Sequence, residues 1–378
     1  MKWKIENLNF ITNIKNINNF LIDNIFSYLL PNINKEIISI IKKYLISKIK
    51  CQFQNNYLTI TNKNYISYNF IFAYTNFNNY YQQSFINLVY LNCSNTNINY
   101  ISDNLINLKF LNCSNTDILV LSDLFINLEY LNIENTNITT IPKTYNKLKQ
   151  LYGSGSFITK LSKKLYNLEN IIINNTNIKK IKYYKNLNYL NCNNTFIEYI
   201  NIDYLTYLIC NNTLLINFLH KNLNNNLIYL NCSNTNIKEL PNNLFNLIYL
   251  NCSNTLIKKL SYKCFNKLII LYASNTILEY LPENLNNLNY LDISYNKLIK
   301  KIPNEFSNLK YLNISNTYNI KKISKKINNL YYLDCHKSNI MNIPIILNKL
   351  VYLNIVDTNI IYKYYETNNI ILYKHINL

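Results

Sequence analysis

Glycine is nearly absent: Gly153 and Gly155 are the only two in 378 residues. A phosphate-cradling loop needs several glycines so that the backbone can turn sharply and approach its ligand. A dinucleotide fingerprint and a P-loop are therefore both excluded. Histidine is scarce as well. With His220, His336 and His375 the only three, no metal centre is expected, and no cofactor either. Asp and Glu number 19 against 38 Lys plus Arg, a net charge of +19 that raises nucleic acid or an acidic protein as a first guess at the partner. No stretch of eighteen apolar residues occurs, so no membrane-spanning helix is predicted. The opening MKWKIENLNF lacks the long apolar run and small-residue cleavage site of a secretory leader. These absences predict a soluble, cytoplasmic chain.

Apolar and aromatic side chains are plentiful instead, at 49% and 14%, enough to bury a core. A repeat orders them. The string LNCSNT starts at Leu91, Leu111, Leu230 and Leu250. Aligning its relatives gives fourteen units beginning at Leu88, Leu108, Leu128, Leu148, Leu168, Leu187, Leu205, Leu227, Leu247, Leu268, Leu288, Leu309, Leu330 and Leu350, at intervals of 18 to 22 residues. Each reads L-x-x-L-x-(C/I)-x-x-T-x-I-x-x-I/L, often followed by proline, as at Pro142, Pro241, Pro282 and Pro344. Alternation from the third to the seventh position predicts a strand, with Leu91 and Cys93 inward and Tyr90, Asn92 and Ser94 outward. One unit cannot close a core, so the units must stack.

The pattern resembles the leucine-rich repeat family, whose consensus L-x-x-L-x-L-x-x-N-x-L it matches across residues 88 to 360. The resemblance implies an α/β solenoid with a curved parallel sheet on its concave side. Units this short predict short 3₁₀ or irregular turns on the convex side. The expected organisation is a helical N-terminal cap over 1–60, a degenerate first coil over 61–87, fourteen repeats over 88–362 and a C-terminal cap over 363–378. Family members carry Asn at the ninth position. Here Thr96, Thr116, Thr235 and eight others stand there, and only Asn296 keeps the family residue. A hydroxyl reaches less far than an amide, so the ladder between turns should enlist the preceding residue, such as Asn95 or Asn234. The coding bias and repeats are similar to expanded families of A/T-rich large DNA viruses and protists. For a viral chain the location becomes the host cytoplasm.

Seven of nine cysteines occupy the sixth position, where other units have Ile or Ala, which marks a small buried site rather than a disulfide, metal or catalytic one. The third position is Tyr in ten units: Tyr90, Tyr130, Tyr189, Tyr207, Tyr229, Tyr249, Tyr290, Tyr311, Tyr332 and Tyr352. Asn and Ser columns run beside it. Two readings are open for this face. Tyr, Asn and Ser suit a protein-binding surface. Tyrosine also suits strands and stacks across them, and duplication under a biased code would copy columns without selecting them. Units that deviate carry more information. Unit four holds both glycines, where a bulge or a close backbone approach is expected. The last units introduce Asp292, Asp334 and His336 on the predicted concave face. An Asp two residues from a His could form a general-base pair, but no nucleophile accompanies it. Paired lysines such as Lys179 with Lys180 and Lys321 with Lys322 follow the strand and read as a solubilising rim.

Residues 16–50 contain FLIDNIFSYLL, Pro31 and NKEIISIIKKYL, with Ile37, Ile40, Ile41, Tyr44 and Leu45 on one helical face. The segment partially resembles an F-box in two alternative ways. Ile25, Phe26, Ser27, Tyr28 and Leu29 match the motif's end, or Leu30 and Pro31 followed by Glu36, Ile37, Ile41, Tyr44 and Leu45 match its spacing with a displaced Leu-Pro. Either resemblance implies docking to a Skp1-type adaptor. The leading expectation is a monomeric, non-enzymatic protein-interaction scaffold using the concave face. A ubiquitin-ligase substrate adaptor and nucleic-acid binding through the rim lysines are the alternatives.

Overall fold

The computed structural model describes residues 51–54, 57–60, 88–201, 203–219, 226–360 and 371–373. The chain divides into two compact units, Met1–Asn177 with Tyr184–Asn186, and Ile178–Tyr183 with Leu187–Leu378. In the first unit, β1 (Cys51–Gln54) and β2 (Tyr57–Ile60) form an antiparallel hairpin. β2 then pairs in parallel with β3 (Tyr90–Asn92), followed in order by β4 (Phe110–Asn112), β5 (Tyr130–Asn132), β6 (Gln150–Tyr152) and β7 (Asn170–Ile172).

The second unit starts its sheet with β8 (Tyr189–Asn191). β9 (Tyr199–Asn201) leaves that sheet to pair in parallel with β11 (Asn217–Leu219), while β8 pairs with β10 (Tyr207–Ile209). The sheet continues through β12 (Tyr229–Asn231), β13 (Tyr249–Asn251), β14 (Ile270–Tyr272), β15 (Tyr290–Asp292), β16 (Tyr311–Asn313), β17 (Tyr332–Asp334), β18 (Tyr352–Asn354) and β19 (Ile371–Tyr373). Every pairing among the described strands of this unit is parallel, and those between repeats set equivalent positions opposite one another, as Tyr229 faces Tyr249 and Leu230 faces Leu250.

The helix expected over residues 1–60 falls outside the described residues up to position 50, and its last part is the β1–β2 hairpin instead. The coil expected over 61–87 also lies outside them. No described residue is helical, and on the outer side each unit runs through consecutive tight turns rather than a 3₁₀-helix. In one, Leu105 N donates to Ser102 O at 3.3 Å and Leu108 N to Leu105 O at 3.2 Å. About twenty residues are too few for a strand, two turns and a stable helical nucleus besides.

The core of each unit lies between the strands and these turns. Leu88, Leu91, Cys93, Ile98, Ile101 and Leu105 of one repeat are all at most 3% exposed. Cysteine fits the sixth position because little room remains there. The eight described thiols are buried, and Cys93 Sγ donates to Asn112 O of the next turn at 3.5 Å. Burial pushes the Cys93 and Cys252 thiols up to about 12, so they stay protonated and unreactive.

The strands are three residues long, shorter than the sequence pattern predicts, because the chain turns at the eighth position. Asn95, Asn115, Asn135, Asn234 and Asn254 all have φ between 52° and 58°, a left-handed conformation that asparagine tolerates better than most residues. Thr96 Oγ1 secures the turn from inside by donating to Cys93 O at 2.6 Å, and its counterparts repeat the bond. The threonine therefore bonds within its own turn. Contact between turns falls to the preceding asparagines, as the missing ninth-position amide suggests: Asn115 Nδ2 donates to Asn95 Oδ1 at 3.1 Å and Asn135 Nδ2 to Asn115 Oδ1 at 2.9 Å. Gly155 takes this same left-handed position in unit four, φ 67°, and a Cβ there would run into Asn135 Oδ1. No bulge occurs: Gly153 fills the sixth position, where a Cβ would meet Ile158 Cδ1 at 3.1 Å.

Candidate protein-binding face

The third-position rings form a stack in each unit, because parallel strands in register hold equivalent side chains about 4.8 Å apart. In the first unit Tyr90, Phe110 and Tyr130 stack with centroids 4.1 Å apart. Unit four has Gln150 at the third position, yet the stack continues: Tyr152, two residues along the strand, lies 5.1 Å from Tyr130. The second unit repeats the manoeuvre. Its stack runs Tyr189, Tyr207, Tyr229, Tyr249, Tyr272, Tyr290, Tyr311, Tyr332, Tyr352, with Tyr272 standing in where the third position is Ile270. The tightest neighbours, Tyr290 to Tyr311, are 3.9 Å apart with planes inclined by 7°.

All ten predicted tyrosines thus lie in the two stacks, and Tyr152 and Tyr272 are members that the third-position pattern does not include. A scan for aromatics at either outward position would have found them. The substitutions answer part of the question left open by duplication. Where the third-position ring is lost in units four and ten, a ring appears at the other outward place on the strand and continues the stack, whereas unit five, with Asn170 and Ile172, carries no ring at either place.

The stacking decides what the face presents. Ring faces inside the stack are covered by neighbouring rings, leaving hydroxyls and ring edges toward solvent. Most rings are half-buried, and Tyr207 is 41% exposed. Desolvation pushes the hydroxyls of Tyr249, Tyr290 and Tyr332 well above their ordinary value of 10.0, with neighbouring tyrosine hydroxyls adding to the shift. The folded chain then holds phenolic protons that the unfolded chain releases. The stabilisation is complete below about pH 10 and is lost as pH rises through the folded values. In an alkaline titration followed by ultraviolet absorbance and circular dichroism, part of the tyrosine ionisation should coincide with unfolding. Complete ionisation before any loss of structure would contradict this.

The Asn and Ser columns are less available to a ligand than the sequence suggests. Asn92 Oδ1 accepts from Ser94 N at 3.1 Å and from Ser94 Oγ at 2.8 Å, closing a local turn that recurs at Asn112, Asn231 and Asn251. Asp292 does the same for Ser294, at 2.9 Å and 2.7 Å. Asp334 and His336 occupy these two columns. Asp334 Oδ1 accepts from His336 N at 3.1 Å and contacts Nδ1 at 2.7 Å, so the pair is an elaborated version of the same turn. Asn316 Nδ2 is 3.3 Å from His336 Nε2 and Asn354 Nδ2 is 3.4 Å from Nδ1. Amide groups therefore meet both ring nitrogens, where a hydrolase would place a nucleophile.

Two apolar groups flank the second stack at the second repeat position, separated by Asn289 and the exposed Lys310. Ile228 and Ile269 are half-buried, while Ile248, Tyr331 and Val351 are exposed at 39%, 46% and 50%. No lysine stands at the third, fifth or seventh position of any repeat from Tyr189 to Val356. Lys179, Lys180, Lys258, Lys259, Lys300, Lys301, Lys321 and Lys322 are exposed beyond the strands. Two open clefts lie on the outer turns, one of about 560 Å³ lined by Lys143, Lys147, Lys164 and Tyr166, the other of about 1010 Å³ lined by Lys301, Lys322, Glu283 and Ile345. Neither is lined by a stacked tyrosine. Among the described residues there is no cluster of three metal-ligating side chains, and no helix is long and apolar enough to cross a membrane.

No protein-family model and no curated protein matches the chain. Solved structures do. The functional domain of InlJ from Listeria monocytogenes, which includes a cysteine ladder, aligns at 22% identity and TM-score 0.58 over 74% of this chain and 60% of its own. A leucine-rich repeat protein from Leptospira interrogans aligns at 19% identity and TM-score 0.59, over 76% and 88%. The plant peptide hormone receptor RGFR1, in complex with RGF2, aligns at 18% identity and TM-score 0.51, over 74% and 64%. The chain thus spans less than two thirds of InlJ and of the receptor. The shared feature is the fold, a leucine-rich repeat solenoid.

Proposed function

We propose that the tyrosine face of the second unit, from Tyr189 to Tyr352, is a docking surface for a protein partner. One observation carries the reading: the rings cover one another and sit beside two exposed apolar groups, on outward strand columns that carry no lysine in a chain of net charge +19. Rigid aromatic edges, hydroxyls and adjacent apolar area are what protein interfaces use. The same observation weighs against nucleic acid. Bases stack on open ring faces and phosphates need cations beside them, and the column offers neither. Solved leucine-rich repeat structures include a receptor in complex with RGF2, which agrees with a binding role. The reading makes the chain a scaffold rather than a catalyst. The segment 16–50, on which F-box docking rests, lies outside the described residues and adds nothing to it.

The test is quantitative capture. Tyr229→Ala with Tyr249→Ala should weaken a captured partner about 30-fold, equivalent to ~2 kcal/mol for two central aromatic contacts. Lys258→Glu with Lys259→Glu on the rim should change affinity far less. Equal binding by wild type and the tyrosine variant, or binding abolished by nuclease, would overturn the proposal.

A further inference from the structure

The second unit holds phenols in contact more regularly than binding alone requires. Tyr229 and Tyr249 are 4.2 Å apart with planes inclined by 5°. The run Tyr290, Tyr311, Tyr332, Tyr352 has spacings of 3.9, 4.0 and 4.1 Å and inclinations of 7°, 10° and 2°. Elsewhere the stack is looser or tilted: Tyr189 to Tyr207 and Tyr207 to Tyr229 are both 6.1 Å apart, Tyr249 to Tyr272 is 5.9 Å with a 48° inclination, and Tyr272 to Tyr290, though 4.6 Å apart, is inclined by 41°. The tight rings are half-buried, so their outer edges meet solvent and a diffusing oxidant can reach them.

We propose that these tightly stacked tyrosines are an oxidative modification site, at which adjacent turns become joined ring to ring as dityrosine. The co-reactant is hydrogen peroxide acting through a one-electron oxidant of the haem-peroxidase class. Each of two neighbouring phenols gives up one electron and its hydroxyl proton, leaving unpaired spin on the ring carbons beside the oxygen. Those carbons form one carbon–carbon bond between the rings. The hydrogen on each bonded carbon then moves to its oxygen, restoring both phenols. Two tyrosines and one peroxide give one dityrosine and two waters.

Two free radicals must find each other, whereas here the partner is already in contact, and such proximity is the largest advantage a coupling step can be given. The fold also sets the pattern of products. With one bond per ring, a fully coupled run of four is either Tyr290–Tyr311 with Tyr332–Tyr352, or Tyr311–Tyr332 alone. In the first unit Phe110 separates Tyr90 from Tyr130 and has no hydroxyl to oxidise, so that pair gives no link. The inference depends on ring geometry and stands whether or not the face docks a protein.

Full-length chain at low concentration, treated with peroxidase and hydrogen peroxide, should gain dityrosine fluorescence. Peptide mass mapping should then place the links at Tyr229–Tyr249 and within Tyr290 to Tyr352, each with the loss of two hydrogens. Tyr249→Phe should abolish the first link and spare the others. Tyr311→Phe should leave only Tyr332–Tyr352 in its run. Both variants keep the ring, and Phe110 shows that the column accepts phenylalanine. Links spread evenly to pairs off the column, such as Tyr183 and Tyr204 at 5.8 Å and 60°, would overturn the proposal. So would links formed mainly between chains, or phenols consumed without links.

Discussion

Tyr145→Ala should lower the stability of the first unit by about 4 kcal/mol, the upper part of the range for deleting a buried aromatic ring. Tyr145 is 0% exposed and lies on the outer side of the core, its ring centroid 6.5 Å from that of Phe125 in the preceding repeat. Its hydroxyl donates to Ser122 O at 2.8 Å, fastening one outer turn to the turn before it. Alanine removes the ring, leaves a void between repeats that cannot collapse while the neighbouring strands stay paired, and leaves the Ser122 carbonyl only its longer bond from Phe125 N at 3.5 Å. Tyr145→Phe separates the contributions: it keeps the packing and loses one hydrogen bond, for about 1 kcal/mol. Because a repeat stack is held by neighbouring interfaces, the damage should be local. Hydrogen exchange around residues 120–165 should accelerate strongly in the alanine variant and slightly in the phenylalanine one. Urea unfolding of Tyr145→Ala within 1 kcal/mol of wild type would refute the argument.

Asn296→Ala should cost about 3 kcal/mol or more in the second unit, from lost hydrogen bonds rather than lost volume. Asn296 is 0% exposed. Its Nδ2 donates to Ala273 O at 2.7 Å and Ile293 O at 2.9 Å, and its Oδ1 accepts from Thr276 Oγ1 at 2.6 Å and Thr276 N at 3.2 Å. One amide thus ties two adjacent repeats together. Alanine leaves Thr276 N and Ile293 O without the amide, at about 1–3 kcal/mol each when no water replaces it, while Ala273 O keeps its bond from Thr276 Oγ1. Asn296→Thr tests the explanation, since threonine holds the equivalent place in most repeats by donating to the carbonyl three residues earlier. It should recover more than half of the loss in a thermal or urea denaturation. Equal damage from both substitutions would mean that the bridge to Ala273 and Thr276 dominates.

The repeat, its register and the inward columns were legible in the sequence because they depend on periodicity, and periodicity survives any choice of partner. Leu91, Cys93 and Ile98 had to face inward once the period was set. The details that were not legible depend on which of several equally polar atoms a side chain meets. The missing ninth-position amide points to Asn95 as the contact between repeats, but nothing in the string NT tells that Thr96 bonds its own turn or that Asn95 adopts positive φ. Asn92 likewise reads as a free outward amide until its bond with Ser94 is seen. The stack was half legible. Ten rings announced themselves by position, whereas Tyr152 and Tyr272 become members only because a ring can lean across two residues on the same face. Asp334 and His336 look like chemistry in the sequence and prove to be an Asn–Ser turn with both members exchanged.

The repeat-to-repeat identity that makes the stack regular has a cost during folding. Strands bearing YLNCSNT begin at Tyr90, Tyr229 and Tyr249, and each could pair with the wrong neighbour and still bury the same leucines. A chain made only of such copies would have many compact arrangements of nearly equal energy. The irregular repeats break that degeneracy. Gln150 needs Tyr152 beside Tyr130, Ile270 needs Tyr272 between Tyr249 and Tyr290, and Asn296 finds its acceptor in Ala273 O and its donors in Thr276. These departures act as keys among interchangeable teeth, so that each copy has one neighbour it fits better than any other.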